Sequence, residues 1–163
     1  MNTFAIREAN ASDSEAISEV LRATWLSTYP NKEHDISRED IEAINFNRPV
    51  VNTETRQSWV AVSDKSVVGV CKALRDREGG LLKVLYVLPE YQSRGIGSAL
   101  LSHALKWFGT IPVFVNVAIY NEKGKAFYLK HGFIETGEVA ASKAATLPSG
   151  KIIPEINLAF VRN

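Results

Sequence analysis

Tyr86-Val87-Leu88-Pro89-Glu90-Tyr91-Gln92-Ser93-Arg94-Gly95-Ile96-Gly97-Ser98-Ala99-Leu100-Leu101 reads as the end of an apolar strand, a short polar loop and the opening of a helix. The first four amides of such a helix have no partner inside it, and its dipole places about half a positive charge there. Gly95 and Gly97 remove Cβ atoms that would hold an anion away from the backbone, and Arg94 adds a full charge. The combination predicts a site for phosphate or diphosphate. Turns also use Gly-x-Gly, so the neighbouring residues decide. A dinucleotide fingerprint needs a third glycine where Leu100 stands, and the Walker Gly-Lys-Ser/Thr is absent. What remains is Q-x-x-G-x-G after a strand ending Val-x-Pro.

Around this stretch the hydrophobic spacing sets out the other elements. Residues 2–7 alternate as a short strand. Ser12 and Glu15 have the spacing of a capping box, and Ile17, Val20, Leu21 and Trp25 then recur at helical spacing to about Trp25. Ser37 and Asp40 open a second helix that carries Ile41 and Ile44 inward and ends near Phe46. From residue 58 the period becomes two. Residues 58–63 and 67–75 form a hairpin around Asp64-Lys65, and Glu78-Gly79-Gly80 turns into residues 81–87, apolar enough for a central strand. Ile96–Phe108 is the strongest helix. Residues 112–118 are a strand, Asn121 caps a helix that stops at Gly132, and residues 133–138 and 153–161 complete the sheet. The order β-α-α-β-β-β-α-β-α-β-β predicts an α/β (α+β) fold, a mixed sheet covered by helices. With no repeat or linker, 163 residues suit one domain, 1–163.

The stretch from Leu82 to Leu101 closely resembles the acetyl-CoA signature of the GCN5-related N-acetyltransferases (GNAT), Q/R-x-x-G-x-G/A. Val113 to Val117 resembles the family's fifth strand. Asn121 through Ala126-Phe127-Tyr128 to Gly132-Phe133 resembles its closing motif, slightly shortened. The element order matches as well, so the likeness covers nearly the whole chain.

The resemblance implies the GNAT acyltransferase fold, with a mostly antiparallel sheet whose central parallel strand pair splays apart at a bulge. It implies an enzyme that transfers acetyl from acetyl-CoA, as cosubstrate, to an amine. Pantetheine would lie in the wedge against Leu85, Tyr86 and Val87, with Leu85 and Val87 offering backbone groups. The diphosphate would rest on the loop from Gln92 and Ser93 through Arg94, Gly95, Ile96, Gly97 and Ser98 to Ala99. Asn121 would contact the pantetheine arm, though a helix N-cap explains the same asparagine. Tyr128 would be the general acid that protonates the leaving thiolate. A phenol of pKa about 10 can protonate a thiolate of pKa about 8.5 in a dry site.

Residues 81–87 contain no Asp, Glu or His, and Lys83 stands where a basic carboxylate would be useful. An alkylamine of pKa about 10.4 is neutral in only about one molecule in a few thousand at pH 7, so the base matters. Glu155, Glu33, His34 and Asp35 are candidates, beside ordered water or capture of the neutral amine. The family shapes its acceptor site from the first two helices, their loop, and the loop before the last strand. Here Trp25, Tyr29, Glu33, His34, Asp35, Glu39 and Asp40 mix aromatic and acidic groups suited to an ammonium. A small cationic amine is expected, with a peptide or protein N-terminus as the next choice. A non-catalytic acetyl-CoA sensor, or a nucleotide-phosphate site of another purpose, stays open.

The remaining numbers bound the class. Hydrophobic residues make up 45% and charged residues 23%, ordinary for a globular chain. Residues 1–60 carry ten acids against six Lys and Arg, residues 61–163 eight against thirteen, which argues against a broad nucleic-acid surface. No apolar run approaches the roughly 20 residues that span a bilayer, and no secretory signal is read at the N-terminus. Cys71 stands alone in an apolar strand, and three scattered His give no metal-ligand spacing. A reduced cytoplasmic protein without metal or membrane partner is expected. In the resembled family, dimers form through the last strand and the bulge region.

Overall fold

The structure, a computed structural model, describes residues 3–162. Asn2, placed in the first strand by its pattern, lies outside the described residues. The strands are β1 (Ala5–Glu8), β2 (Arg56–Ser63), β3 (Ser66–Arg75), β4 (Gly80–Val87), β5 (Val113–Ala118), β6 (Ile134–Glu138) and β7 (Glu155–Phe160). The helices are α1 (Ser14–Thr28), α2 (Arg38–Glu42), α3 (Ile96–Phe108) and α4 (Glu122–Lys130). They form one seven-stranded sheet in the order β1-β2-β3-β4-β5-β7-β6. The expected mixed sheet is present, with β4 and β5 parallel and the other neighbours antiparallel.

Alternation along the strands sends one set of side chains to each face. Trp59, Cys71, Ala73 and Leu82 join Leu100, Leu101, Ala104 and Phe108 of α3 in one cluster. Val60 and Val70 join Ile17, Val20 and Leu21 of α1 in another, with Val84 and Tyr86 packed against it. Cys71 is fully buried and burial pushes its thiol up, the behaviour of a small hydrophobe rather than a nucleophile.

Three local expectations are corrected. The capping box here is Asn10 with Asp13, around the 3-10 turn Ala11–Asp13 that leads into α1, and α1 itself has no side-chain cap from Ser12. Asp13 is claimed because Arg7 of β1 donates two hydrogen bonds to it, each 2.8 Å; no local pattern encodes that bond. α1 continues to Thr28, one turn past Trp25, because Leu26 and Tyr29 bury against the loop that precedes β7. α2 is a single short segment ending at Glu42 rather than near Phe46, although its Ser37–Asp40 capping box is as expected.

Candidate functional site

β4 and β5 are paired only at Gly80↔Val113 and Leu81↔Phe114. Beyond that the two parallel strands part. The register of β3 against β4 slips where Lys72 and Ala73 face Val84 and Leu82, leaving Lys83 as the extra residue of a bulge. Leu88 donates its amide to the Val68 carbonyl at 2.8 Å, so Leu85 and Val87, of the opposite parity, turn their backbone groups toward β5. They meet no strand there. The result is a wedge with an unpaired strand edge, shaped to accept an extended amide chain as a further strand.

Gly80 marks the closed end of the wedge. A Cβ at this position would come within 2.4 Å of two carbons of the Phe108 ring, so the last turn of α3 can sit on β4 only over a glycine.

At the open end, Gln92 Nε2 donates to the Val87 carbonyl at 2.9 Å, and Lys123 donates to Gln92 Oε1 at 2.8 Å. Gln92 therefore clasps the end of β4 to α4, a structural use of the motif's first residue. Ser93 and Gly95 adopt φ of 63° and 85°, the left-handed region that glycine adopts freely and serine only at a cost. Gly95 is the N-cap of α3, with no side-chain cap and no acid in the first turn. Ala99 already donates to the Gly95 carbonyl, so of the expected loop residues its amide is spent. The free amides are those at the helix start, through Ser98. Gly97 also answers to packing: a Cβ there would lie 3.3 Å from the Phe127 ring, tight against α4. Arg94 donates to the Glu90 carbonyl at 2.9 Å and lies over the Tyr91 ring, 4.9 Å from its centre. This arrangement holds a cation beside uncapped amides.

The motif residues Asn121 and Tyr128 belong to α4, the first as its N-cap and the second within it. Asn121 accepts from the Gly124 amide at 3.0 Å as an N-cap. Tyr128 is only 7% exposed and packs against Phe127 and Phe133. Its hydroxyl has no hydrogen-bond partner among the described residues. Burial pushes its pKa above the ordinary phenol value. His131 shares a hydrogen bond with the Phe127 carbonyl at 2.8 Å and another with Ser98 Oγ at 2.9 Å. It ties α4 to the start of α3, as its place at a helix end suggests.

On the α1 side of the wedge stands an aromatic cluster. Tyr29 and Tyr86 share a 2.5 Å hydrogen bond between their hydroxyls. Trp25 lies 4.4 Å from the Tyr29 ring centre and 6.4 Å from that of Tyr86. Tyr120 donates to the Tyr29 carbonyl at 2.7 Å and stacks on His34 at 5.0 Å. Glu155, at the start of β7, is half-buried and accepts from the Ala145 amide at 3.1 Å. Burial raises its pKa above the ordinary glutamate value, against a smaller lowering by that amide. Its charge in turn contributes to the raised pKa values of Tyr29 and Tyr86, in which burial is the largest cause.

The other expected acids do not converge on this cluster. Glu33 and Glu39 are exposed, and Asp35 is 93% exposed beside Lys151. Asp40 is buried but taken: Ser37 donates to it from both backbone and hydroxyl, and Lys151 donates from 2.9 Å. Those bonds hold its carboxyl well below the ordinary range. Lys151 had no local signal, because it stands 111 residues away in sequence. It staples the loop before β7 to α2. The contribution of Asp40 to stability is complete above the ordinary aspartate value, about pH 4, and is lost as the pH falls toward its lower folded value. The urea midpoint of Asp40→Asn should therefore decline less steeply than that of the parent between pH 6 and pH 3.

Comparison with known proteins agrees with this geometry. Residues 54–135 match the profile of the acetyltransferase (GNAT) domain. The chain is similar to PaiA N-acetyltransferase from Thermoplasma acidophilum in complex with coenzyme A, at 22% identity, 98% of this chain and 99% of that one, and TM-score 0.68. It is similar to a GNAT-family acetyltransferase from Streptococcus pneumoniae at 21% identity, 98% and 100% coverage and TM-score 0.71. The ribosomal-protein-S18-alanine N-acetyltransferase from Escherichia coli aligns at 17% identity, 97% and 93% coverage and TM-score 0.68. At these identities the likeness carries the fold. No curated protein matches the chain by sequence. Among the described residues no helix is long and apolar enough to cross a membrane. With its profile match spanning half its length and its wedge and loop in place, the chain belongs to the GNAT family and is an acetyl-CoA-dependent acetyltransferase.

Proposed function

We propose that this enzyme acetylates a small amine by direct attack, with Tyr128 as general acid and Glu155 as general base. The acceptor amine sits among Trp25, Tyr29, Tyr86 and Tyr120. The observation that supports the reading is the Tyr128 hydroxyl, without a partner among the described residues, on a side chain that shares a buried cluster with Val87 and Leu85 of β4 and lies near enough to Tyr86 for their charges to interact. Acetyl-CoA enters as substrate, its diphosphate on the amides from Gly95 to Ser98 beside Arg94 and its pantetheine along Leu85 and Val87. Asn121 keeps its amide nitrogen for the pantetheine arm, since its oxygen is used by the cap.

The ammonium loses a proton to Glu155, through water where the gap requires it, and the neutral nitrogen attacks the thioester carbon. The carbon–sulfur bond breaks, the Tyr128 proton goes to the leaving thiolate, and the second nitrogen proton returns to the Tyr128 phenolate through water, leaving the neutral amide and the CoA thiol. A carboxylate whose pKa is raised by burial is a better base near neutrality than an exposed one, and aromatic faces favour an ammonium.

A panel of amines assayed by release of free CoA thiol tests this. Small primary amines should be turned over and should stabilise the CoA-bound enzyme. Turnover of peptide N-termini alone would replace the reading, and thiol release with neither would leave only a sensor. Glu155→Gln should lower kcat/KM by roughly ten- to a hundredfold. It should also remove the acid limb of its pH profile, which in the parent falls as Glu155 is protonated above the ordinary glutamate value. An unchanged limb would move the base elsewhere.

A further inference from the structure

Four cations share the α1 face of the sheet near the closed end of the wedge. Lys72 pairs across to Val84 on one side and Ser58 on the other, and cross-strand partners share a face. Val84 packs on the α1 cluster, so Lys72 points to that side. Arg56 lies two residues before Ser58 and takes the same face. Lys83 is the bulged residue beside Val84. Arg48 lies between Phe46 and Val50, both packed against the α1 cluster. Arg48, Arg56 and Lys83 are exposed and Lys72 is half-buried. None of the four joins an ion pair among the described residues. Burial, and then the charges of Lys83, Arg48 and Arg56, lower the Lys72 pKa, and no carboxylate offsets them.

We propose that Arg48, Arg56, Lys72 and Lys83 bind an anionic group of the acceptor, a carboxylate or a phosphate. The proposal rests on the small-amine reading and narrows it to amines that also carry an anion. Mutually repelling, unpaired cations around a half-buried lysine are stabilised together by one anion with several acceptor oxygens. The coenzyme's diphosphate does not fill this role, because its amides lie at the start of α3, beyond the open end of the wedge. The acceptor does: Lys83 and Tyr86 lie three residues apart on β4, roughly 10 Å along the strand. An amine held at the aromatic cluster can extend an anionic tail to that distance. Asp40, already neutralised by Lys151, does not compete for the amine end.

The test compares matched amines that differ only by the anion, a diamine or amino alcohol against the corresponding amino carboxylate and amino phosphate. The parent enzyme should prefer an anion-bearing member by about tenfold or more in kcat/KM, chiefly through KM. The carboxylate and phosphate arms tell which anion is held. In the double variant Arg56→Gln/Lys83→Gln, whose side chains are exposed so that no burial is lost, that ratio should fall toward one. No preference in the parent, a preference that survives in the double variant, or turnover confined to acidic peptides would overturn the proposal. A direct measurement separates it from the amine reading. With CoA saturating the diphosphate site, inorganic phosphate at about ten times its dissociation constant should raise the melting temperature by roughly 4 °C. The rise should vanish in the double variant. If no amine releases thiol but this stabilisation is present, the amine reading fails and the anion site stands; if the stabilisation is absent, the site fails whatever the amine panel shows.

Discussion

Tyr128→Phe should lower kcat by about a hundred- to a thousandfold, a barrier increase of roughly 3–4 kcal/mol, while the fold and the affinity for CoA stay close to those of the parent. The argument is geometric. The ring packs against Phe127 at 5.3 Å and Phe133 at 5.2 Å, and phenylalanine preserves both contacts. The hydroxyl has no partner among the described residues, so its removal strands no buried donor or acceptor. What disappears is a proton donor whose pKa is pushed up by burial. Such a phenol remains protonated through the neutral range, the form that a proton donor to the leaving thiolate must have. Steady-state thiol release, with a thermal melt in saturating CoA, checks both halves. A variant that turns over like the parent would remove Tyr128 from the chemistry; one that melts much earlier would make it a packing residue.

The second large effect belongs to the closed end of the wedge. Gly80→Ala should destabilise the protein by about 2–3 kcal/mol, lowering the melting temperature by roughly 6–9 °C. The added methyl would stand 2.4 Å from two carbons of Phe108, which is 3% exposed and packed within the buried cluster under α3. Gly80 cannot move away either, because its amide donates to the Pro112 carbonyl at 2.8 Å and it pairs with Val113. Either the ring turns against its neighbours or the end of α3 lifts from the sheet. Since α3 begins at the anion loop, lifting it should also raise the KM for acetyl-CoA. Phe108→Leu in the same chain should recover part of the loss, and a double-mutant cycle by urea unfolding measures the coupling. Additive effects of the two substitutions would contradict the contact.

Much of this was legible along the chain. The strand–loop–helix at residues 86–101, the periods of two and 3.6, and the Asn121 and Gly132 boundaries of α4 are local signals. The φ of 92° at Gly132 is what that helix end required. Other features were legible only in part. Two capping boxes overlapped at residues 10–15, and a bond from β1 chose between them. Gly97 stands in the expected anion loop, and that the Phe127 ring would also lie 3.3 Å from a Cβ there was not legible along the chain.

By itself the sequence determined the fold class, the family and the strand–loop–helix that carries its motif, because backbone conformation and helix ends depend on residues a few positions apart. Only the tertiary structure decided which charges are free. Asp40 is cancelled by Lys151, Glu155 reaches the aromatic cluster because β7 inserts between β5 and β6, and Arg48, Arg56, Lys72 and Lys83 gather from β2, β3, β4 and the segment after α2. Charges act through space over several ångströms, so their pairing follows from how the strands are ordered and not from their order along the chain.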